Sequence, residues 1–270
     1  MDLTKDNITE LIKKIAIPAS VGTFFQTMYN LVDSKFAGLI SPEALTAIVK
    51  SFPIYLIIIA ASVGISAGTT ALISNTLGQK DTEKASVLFA QSIIVALLIT
   101  FVVTFIGIAS IKDILIILKS NNQIISYATD YMNVIFSGSI VIFLLVTINA
   151  SLVSRGDTKS YRNVLIFSFF LNILLNPLFI YGFYLIPAMG ISGIALATIV
   201  SELIGLIYLI YKINKTEIRE YLSPECFKPK MTLISDILKQ AIPSGLSMGM
   251  VGFGVFILIY LVSSYGDFSA

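Results

Sequence analysis

NVLIFSFFLNILLNPLFIYGFYLIPAMGISGIALATIVS, residues 163–201, carries no charged side chain in 39 consecutive positions. A bilayer's hydrocarbon core is about 30 Å thick, and roughly 20 apolar helical residues cross it. The run is therefore too long for one crossing and long enough for most of two. Gly182, Pro187 and Gly190 interrupt it near the middle, dividing it into two spans at about Asn163–Phe183 and Gly190–Tyr211. In lipid every backbone N–H and C=O has to find a partner, and runs this uniformly apolar lack the alternation of a barrel strand. They read as helices.

The same reading extends along the chain. Charge-free runs at Ile15–Val32, Ser51–Gln79, Ala85–Ile111, Tyr131–Ser154 and Gln240–Gly266 bring the spans to seven. The expected fold is an all-α polytopic membrane protein. Composition agrees: 56% of residues are hydrophobic, only 13% are charged and the mean hydropathy is +0.89, whereas soluble domains carry about 25% charged residues. A net charge of +2 offers no nucleic-acid footprint. Without histidine, and with Cys226 alone, there is no zinc site of His and Cys, no Ser-His-Asp triad and no internal disulfide. Neither paired acids nor a nucleophile–base pair stands at convincing spacing, so the chain reads as no enzyme, with no catalytic residues and no cofactor. MDLTKDNITELIKK at the amino end is a charged amphipathic lead-in rather than a signal peptide.

Lysine and arginine positions give the orientation. The amino end and the loops after spans 2, 4 and 6 hold 14 of them, against Lys35, Lys50, Lys112 and Lys119 on the other side. The chain is expected in the cytoplasmic membrane with its amino terminus in the cytoplasm. Leu11–Ser20, LIKKIAIPAS, returns as ILKQAIPSGL at Ile237–Leu246, with Pro18 matching Pro243. Six crossings separate the copies, the spacing of a parallel six-helix repeat of the kind secondary transporters use. The expected division is a six-helix lobe at 1–211, a cytoplasmic linker at 212–236 and the opening helix of a second lobe at 237–270.

Polar side chains at membrane depth are costly; an ionised carboxylate at the bilayer centre costs ~2.5–3.5 kcal/mol on insertion scales. In span 1, Gln26, Asn30 and Asp33 follow i, i+4, i+7 and share one face with Tyr29. Asp33 lies ~27 Å along the helix from Ile15, toward the outer leaflet. Span 5 places Ser168, Asn172 and Asn176 on one face, directly before Pro177, and span 6 has Thr198 and Glu202 at i, i+4. Asn149 in span 4 suits hydrogen-bonded helix packing, whereas the Asp33, Asn172 and Asn176 set suits a cavity.

These residues stand in strings that resemble the multidrug and toxic compound extrusion (MATE) transporters. YNLVDSKFAG (29–38), GTTALISNTLGQKD (68–81), RGDTKSYRNVLI (155–166), NILLNPLFIYG (172–182) and MGISGIALAT (189–198) follow the family's order from about Leu11 to Gly266. IPSGLSMGM (242–250) lacks a glutamate in span 7, which resembles the DinF-like branch more than the NorM-like one. The resemblance implies two six-helix bundles facing each other across a cleft, exporting small cationic or amphipathic compounds in exchange for protons or sodium ions. It implies a coupling carboxylate at Asp33, with Asn172 and Thr198 in the same polar cluster, and cavity-lining roles for Gln26, Tyr131 and Asn149. Tyr29 and Asn30 join that cavity by sharing the span 1 stripe. Where the family usually has an aspartate before the proline, this chain has Asn176, which neither titrates near neutral pH nor lends charge to an ion. Asp33 is then the main titratable group, with Glu202 as a substitute. If sodium is the coupling ion, Asp33, Asn172 and Asn176 are its expected ligands, and Pro18 is the expected bend in span 1. A family member runs to about 450 residues, so the partners expected are the bilayer and a second lobe, from the rest of a longer chain or a second copy. The alternatives are a flippase for lipid-linked precursors, disfavoured because Arg155, Arg162 and Arg219 all lie at the cytoplasmic face, and a half-length fragment or helper subunit that does not transport.

Overall fold

The computed structural model describes residues 8–263. They form seven helices, α1 (Ile8–Ile40), α2 (Pro42–Gly78), α3 (Thr82–Ile117), α4 (Asn122–Val153), α5 (Lys159–Tyr181), α6 (Ile191–Ile213) and α7 (Met231–Val262), with short 3-10 turns at Glu217–Arg219 and Pro224–Phe227. Lys5 and the end of the seventh span through Gly266 lie outside the described residues. All but α6 begin before their charge-free stretch, because a helix satisfies its own backbone whether lipid or headgroups surround it. The starts are set by polar caps. Ser41 accepts the N–H of Ala44, Asp81 that of Lys84 and Asn121 that of Ile124, each meeting a donor that the first helical turn leaves unpaired.

α2 to α7 are each long and apolar enough to cross a membrane. α1 is as long, at 33 residues, but less apolar, because Gln26, Asn30 and Asp33 interrupt it. Of that polar stripe, Asp33 is buried by neighbouring helices, whereas Gln26 and Asn30 are exposed. α1 packs along α5 and α2, and Phe25 meets Phe169 edge-on with ring centroids 5.4 Å apart. α4 lies at the centre, against α2, α3 and α6, and α5 closes on α6.

The sequence reading counted Lys50 among the charges of the outer side and said nothing of its burial. It is inside α2, with no exposed surface, and its Nζ donates to the Leu118 carbonyl at 3.1 Å. Leu118 caps the end of α3, where unpaired carbonyls and the negative end of the helix dipole accumulate, so an ammonium there is stabilised.

α7 lies antiparallel to α2, with Gly68 against Ile237, Gly64 against Ala241 and Gly252 against Leu56. Since α1 also returns directly into α2, α1 and α7 run in the same direction. Both continue through an internal proline, Pro18 and Pro243. The approach to α2 depends on missing side chains. A Cβ on Gly64 would stand 2.6 Å from the Ala241 carbonyl oxygen, and one on Gly68 would stand 2.7 Å from that of Ile237. Small residues at such crossings let helix backbones approach closely, which is how helices associate in lipid.

The connection between α6 and α7 is fastened to α3. Gln91, fully buried, donates to the carbonyls of Cys226 at 2.7 Å and Lys228 at 2.9 Å, and accepts the N–H of Lys230 at 2.8 Å. Ser86 Oγ donates to the Ile218 carbonyl at 2.9 Å. Replacing Gln91 with leucine leaves three backbone groups short of a partner, each costing about 1–3 kcal/mol if it stays buried. Trypsin should then cut after Lys230 several-fold faster in Gln91→Leu than in the parent protein; an unchanged digestion rate would show that the clamp does not hold the linker.

Candidate functional site

Asp33 lies on the inward face of α1 and is 5% exposed. Its two oxygens go to different helices. Oδ1 accepts from Asn176 Nδ2 on α5 at 3.0 Å, and Oδ2 accepts from Thr198 Oγ1 on α6 at 2.9 Å. The second amide hydrogen of Asn176 goes to Asn172 Oδ1 at 2.8 Å. Three helices that meet nowhere in sequence are thus tied at one carboxylate. Asn172 and Asn176 can act together because they are one helical turn apart, and Ser168, a further turn back, donates to the Ser201 carbonyl at 3.1 Å and holds α5 to α6. Pro177 has no N–H to return to the preceding turn, which frees a carbonyl beside this cluster.

Around the cluster the bundle is hollow. One compartment is lined by Asn30, Asp33, Ser51, Tyr55, Tyr131 and Thr198 among others. A second is lined by Gln26, Tyr29, Asn30, Tyr55, Tyr161, Ser168 and Glu202 together with apolar side chains. Asn30 and Tyr55 border both compartments, so the two abut.

The structure brings Asp33, Asn172, Asn176 and Thr198 into one hydrogen-bonded group and sets Gln26, Tyr29, Asn30 and Tyr131 on cavity walls. Glu202 is not part of that group; among the described residues it makes no hydrogen bond, and it opens into the second compartment. Asn149 lines neither compartment, and its buried Oδ1 has no hydrogen-bond partner, which is also unlike the helix-packing role its sequence position suggests. Pro18 is buried within α1, away from both linings. Tyr55 and Tyr161 are cavity residues the sequence reading missed. A tyrosine in an apolar helix looks like any aromatic packing residue, and only the i, i+7 relation of Tyr161 to Ser168 hinted at a shared face.

A family model described as MatE matches residues 18–178, more than half of the chain. The chain belongs to the MatE family. A probable multidrug resistance protein NorM from Thermotoga maritima is 29% identical over 97% of this chain and 58% of its own length. A FAD transporter from Shewanella oneidensis is 27% identical over 74% of the chain and 44% of its own. Among solved structures, an inward-facing multidrug resistance MATE family transporter superposes with a TM-score of 0.81 at 26% identity, covering 94% of this chain and 58% of that one. The chain therefore spans about half the length of the relatives it matches, 44% to 58% in these three, and it shares with them a multi-pass membrane fold.

The Thr198 hydroxyl provides a direct test of the cluster. Thr198→Val keeps the shape but leaves Asp33 Oδ2 without its donor, and hydrogen bonds to charged groups are worth about 1.5–3 kcal/mol. Thermal melting of the solubilised protein should fall clearly for Thr198→Val and stay near the parent for Thr198→Ser; equal melting of both variants would show that the hydroxyl carries no such load.

Proposed function

We propose that this chain forms one lobe of a proton-coupled exporter of cationic or amphipathic small molecules, with Asp33 as the coupling group and a second lobe completing the central cleft. One observation carries the reading: a single buried carboxylate ties α1, α5 and α6 together through donors that tolerate both of its protonation states.

The Thr198 hydroxyl has two acceptors, Asp33 Oδ2 at 2.9 Å and the Ile194 carbonyl at 3.1 Å. While Asp33 is ionised, the hydroxyl proton serves the carboxylate. When a proton arrives on Oδ2, the new O–H donates to Thr198 Oγ1, and the threonine proton turns to Ile194. No hydrogen bond is lost, and Asn176 Nδ2 still reaches Oδ1. What is lost is the charge, and with it the stronger, charge-assisted form of both bonds. The hold of α5 and α6 on α1 then slackens. Pro18, which cannot donate to the preceding helical turn, gives α1 the place to bend, narrowing the cavity as substrate leaves outward.

Protons suit this cluster better than sodium because both Asp33 oxygens face N–H or O–H donors, and Asn176 turns its amide nitrogen, not its oxygen, toward the carboxylate. Sodium would need oxygen ligands from the same groups, with the Asn176 amide reversed. A lipid-linked precursor flippase fits less well. Arg155 pairs with Glu217 at 3.6 Å, Arg162 binds Asn163, Arg219 bonds the Leu222 carbonyl, and none of them lines either compartment.

The full chain reconstituted in liposomes and loaded with ethidium should export the dye when a pH gradient is imposed and not when a sodium gradient replaces it. Asp33→Asn should reduce that efflux at least tenfold while the protein still melts cooperatively. Undiminished, gradient-driven efflux by Asp33→Asn would overturn the assignment.

A further inference from the structure

Glu202 is a buried acid that the coupling step does not employ. It lies one helical turn beyond Thr198 on α6, yet the two side chains serve different compartments. Its Oε2 is buried and has no hydrogen-bond partner, and among the described residues it makes no ion pair. A carboxylate in an apolar bundle without a donor or a counter-ion is costly, and such groups in membrane helices mark substrate or ion paths. Asp33, by contrast, has both oxygens engaged and is 5% exposed.

The surroundings of Glu202 define the missing counter-ion. Its compartment has no lysine or arginine in its lining, and three tyrosines, Tyr29, Tyr55 and Tyr161, stand around it. Gln26 and Asn30 complete a neutral polar rim. An aromatic ring attracts a cation to its face, and several rings gathered about one acid are how proteins hold quaternary ammonium groups. A bare metal ion would instead want several oxygen ligands at fixed short distances, and among the described residues no cluster of three acids, histidines or cysteines exists. Gln26 and Asn30 at its rim are exposed, so the chain attached to a compact onium head can extend out of the compartment. Because Asn30 and Tyr55 border both compartments, a cation seated at Glu202 lies against the wall it shares with the Asp33 compartment.

We propose that Glu202 binds the cationic headgroup of the substrate, an ammonium or quaternary ammonium group enclosed by Tyr29, Tyr55 and Tyr161, which leaves Asp33 to the coupling proton. This assignment rests on the exporter reading and divides its two charges between two acids. It also gives the chain a selectivity rule. Monocations with a compact onium head bind, and neutral molecules of the same shape do not.

Binding separates this idea from transport. Phenyltrimethylammonium is titrated calorimetrically into the full chain held in lipid nanodiscs. Glu202→Gln should raise the Kd at least tenfold, Glu202→Asp should retain most of the affinity, and Glu217→Gln, at an exposed acid outside both compartments, should stay within threefold of the parent. Tyr161→Leu should weaken binding several-fold while Tyr161→Phe does not, since the ring face and not the hydroxyl is required. The assignment falls if the parent shows no saturable binding, if Glu202→Gln binds within threefold of it, or if Glu217→Gln loses as much as Glu202→Gln. Ethidium efflux measured on the same variants keeps the two readings apart. Efflux that needs Asp33 while phenyltrimethylammonium binding ignores Glu202 sinks this proposal alone. Glu202-dependent binding with no gradient-driven efflux sinks the exporter reading instead.

Discussion

The charge of Asp33 cannot be buried among apolar helices unless other groups pay for the water it gives up, and much of the bundle is organised around that constraint. Asn176 and Thr198 supply the donors, and they do so from two further helices. α1 is thereby tied to α5 and α6 by a bond whose strength depends on charge. Apolar packing could hold the same three helices together more simply, as replacement of buried ion pairs by hydrophobic residues often shows. Keeping a titratable group at the junction makes the packing conditional, which is what a switch between two conformations requires.

A second pair of contacts works the other way. α7 approaches α2 through Gly64 and Gly68 with backbone nearly touching backbone, and Gln91 binds the linker just before α7 begins. Neither contact contains a group that titrates near neutral pH. The molecule thus combines one charge-dependent junction, on the α1 side, with a charge-independent one on the α7 side.

The two acids in the hollow differ because their surroundings differ. Asp33 is saturated with donors, while Glu202 faces tyrosine rings and has an unpaired oxygen. Residue type alone would assign them the same role. Asn176 shows the same dependence on context. As a letter in the sequence it looks like the loss of an acid, whereas in the folded protein its amide bridges Asp33 to Asn172 and replaces a charge by two hydrogen bonds.

The helical membrane fold and the polar faces were legible in the sequence, because lipid makes hydropathy and local hydrogen bonding nearly sufficient to specify a helix. Periodicity also identified Asp33, Asn172, Asn176 and Thr198, since i, i+4 spacing puts them on one face of their own helices. Which faces meet was not legible. Periodicity reports direction within one helix and says nothing about which neighbour lies opposite. The partner of Lys50 was not legible for that reason, since only the fold brings the end of α3 over it. Glu202 and the tyrosines around it were sorted away from Asp33 only in three dimensions. The sequence by itself determined the elements and the polar groups they carry. The tertiary structure decided the partner of each buried polar group, because a hydrogen bond between helices depends on their relative placement, which no local pattern encodes.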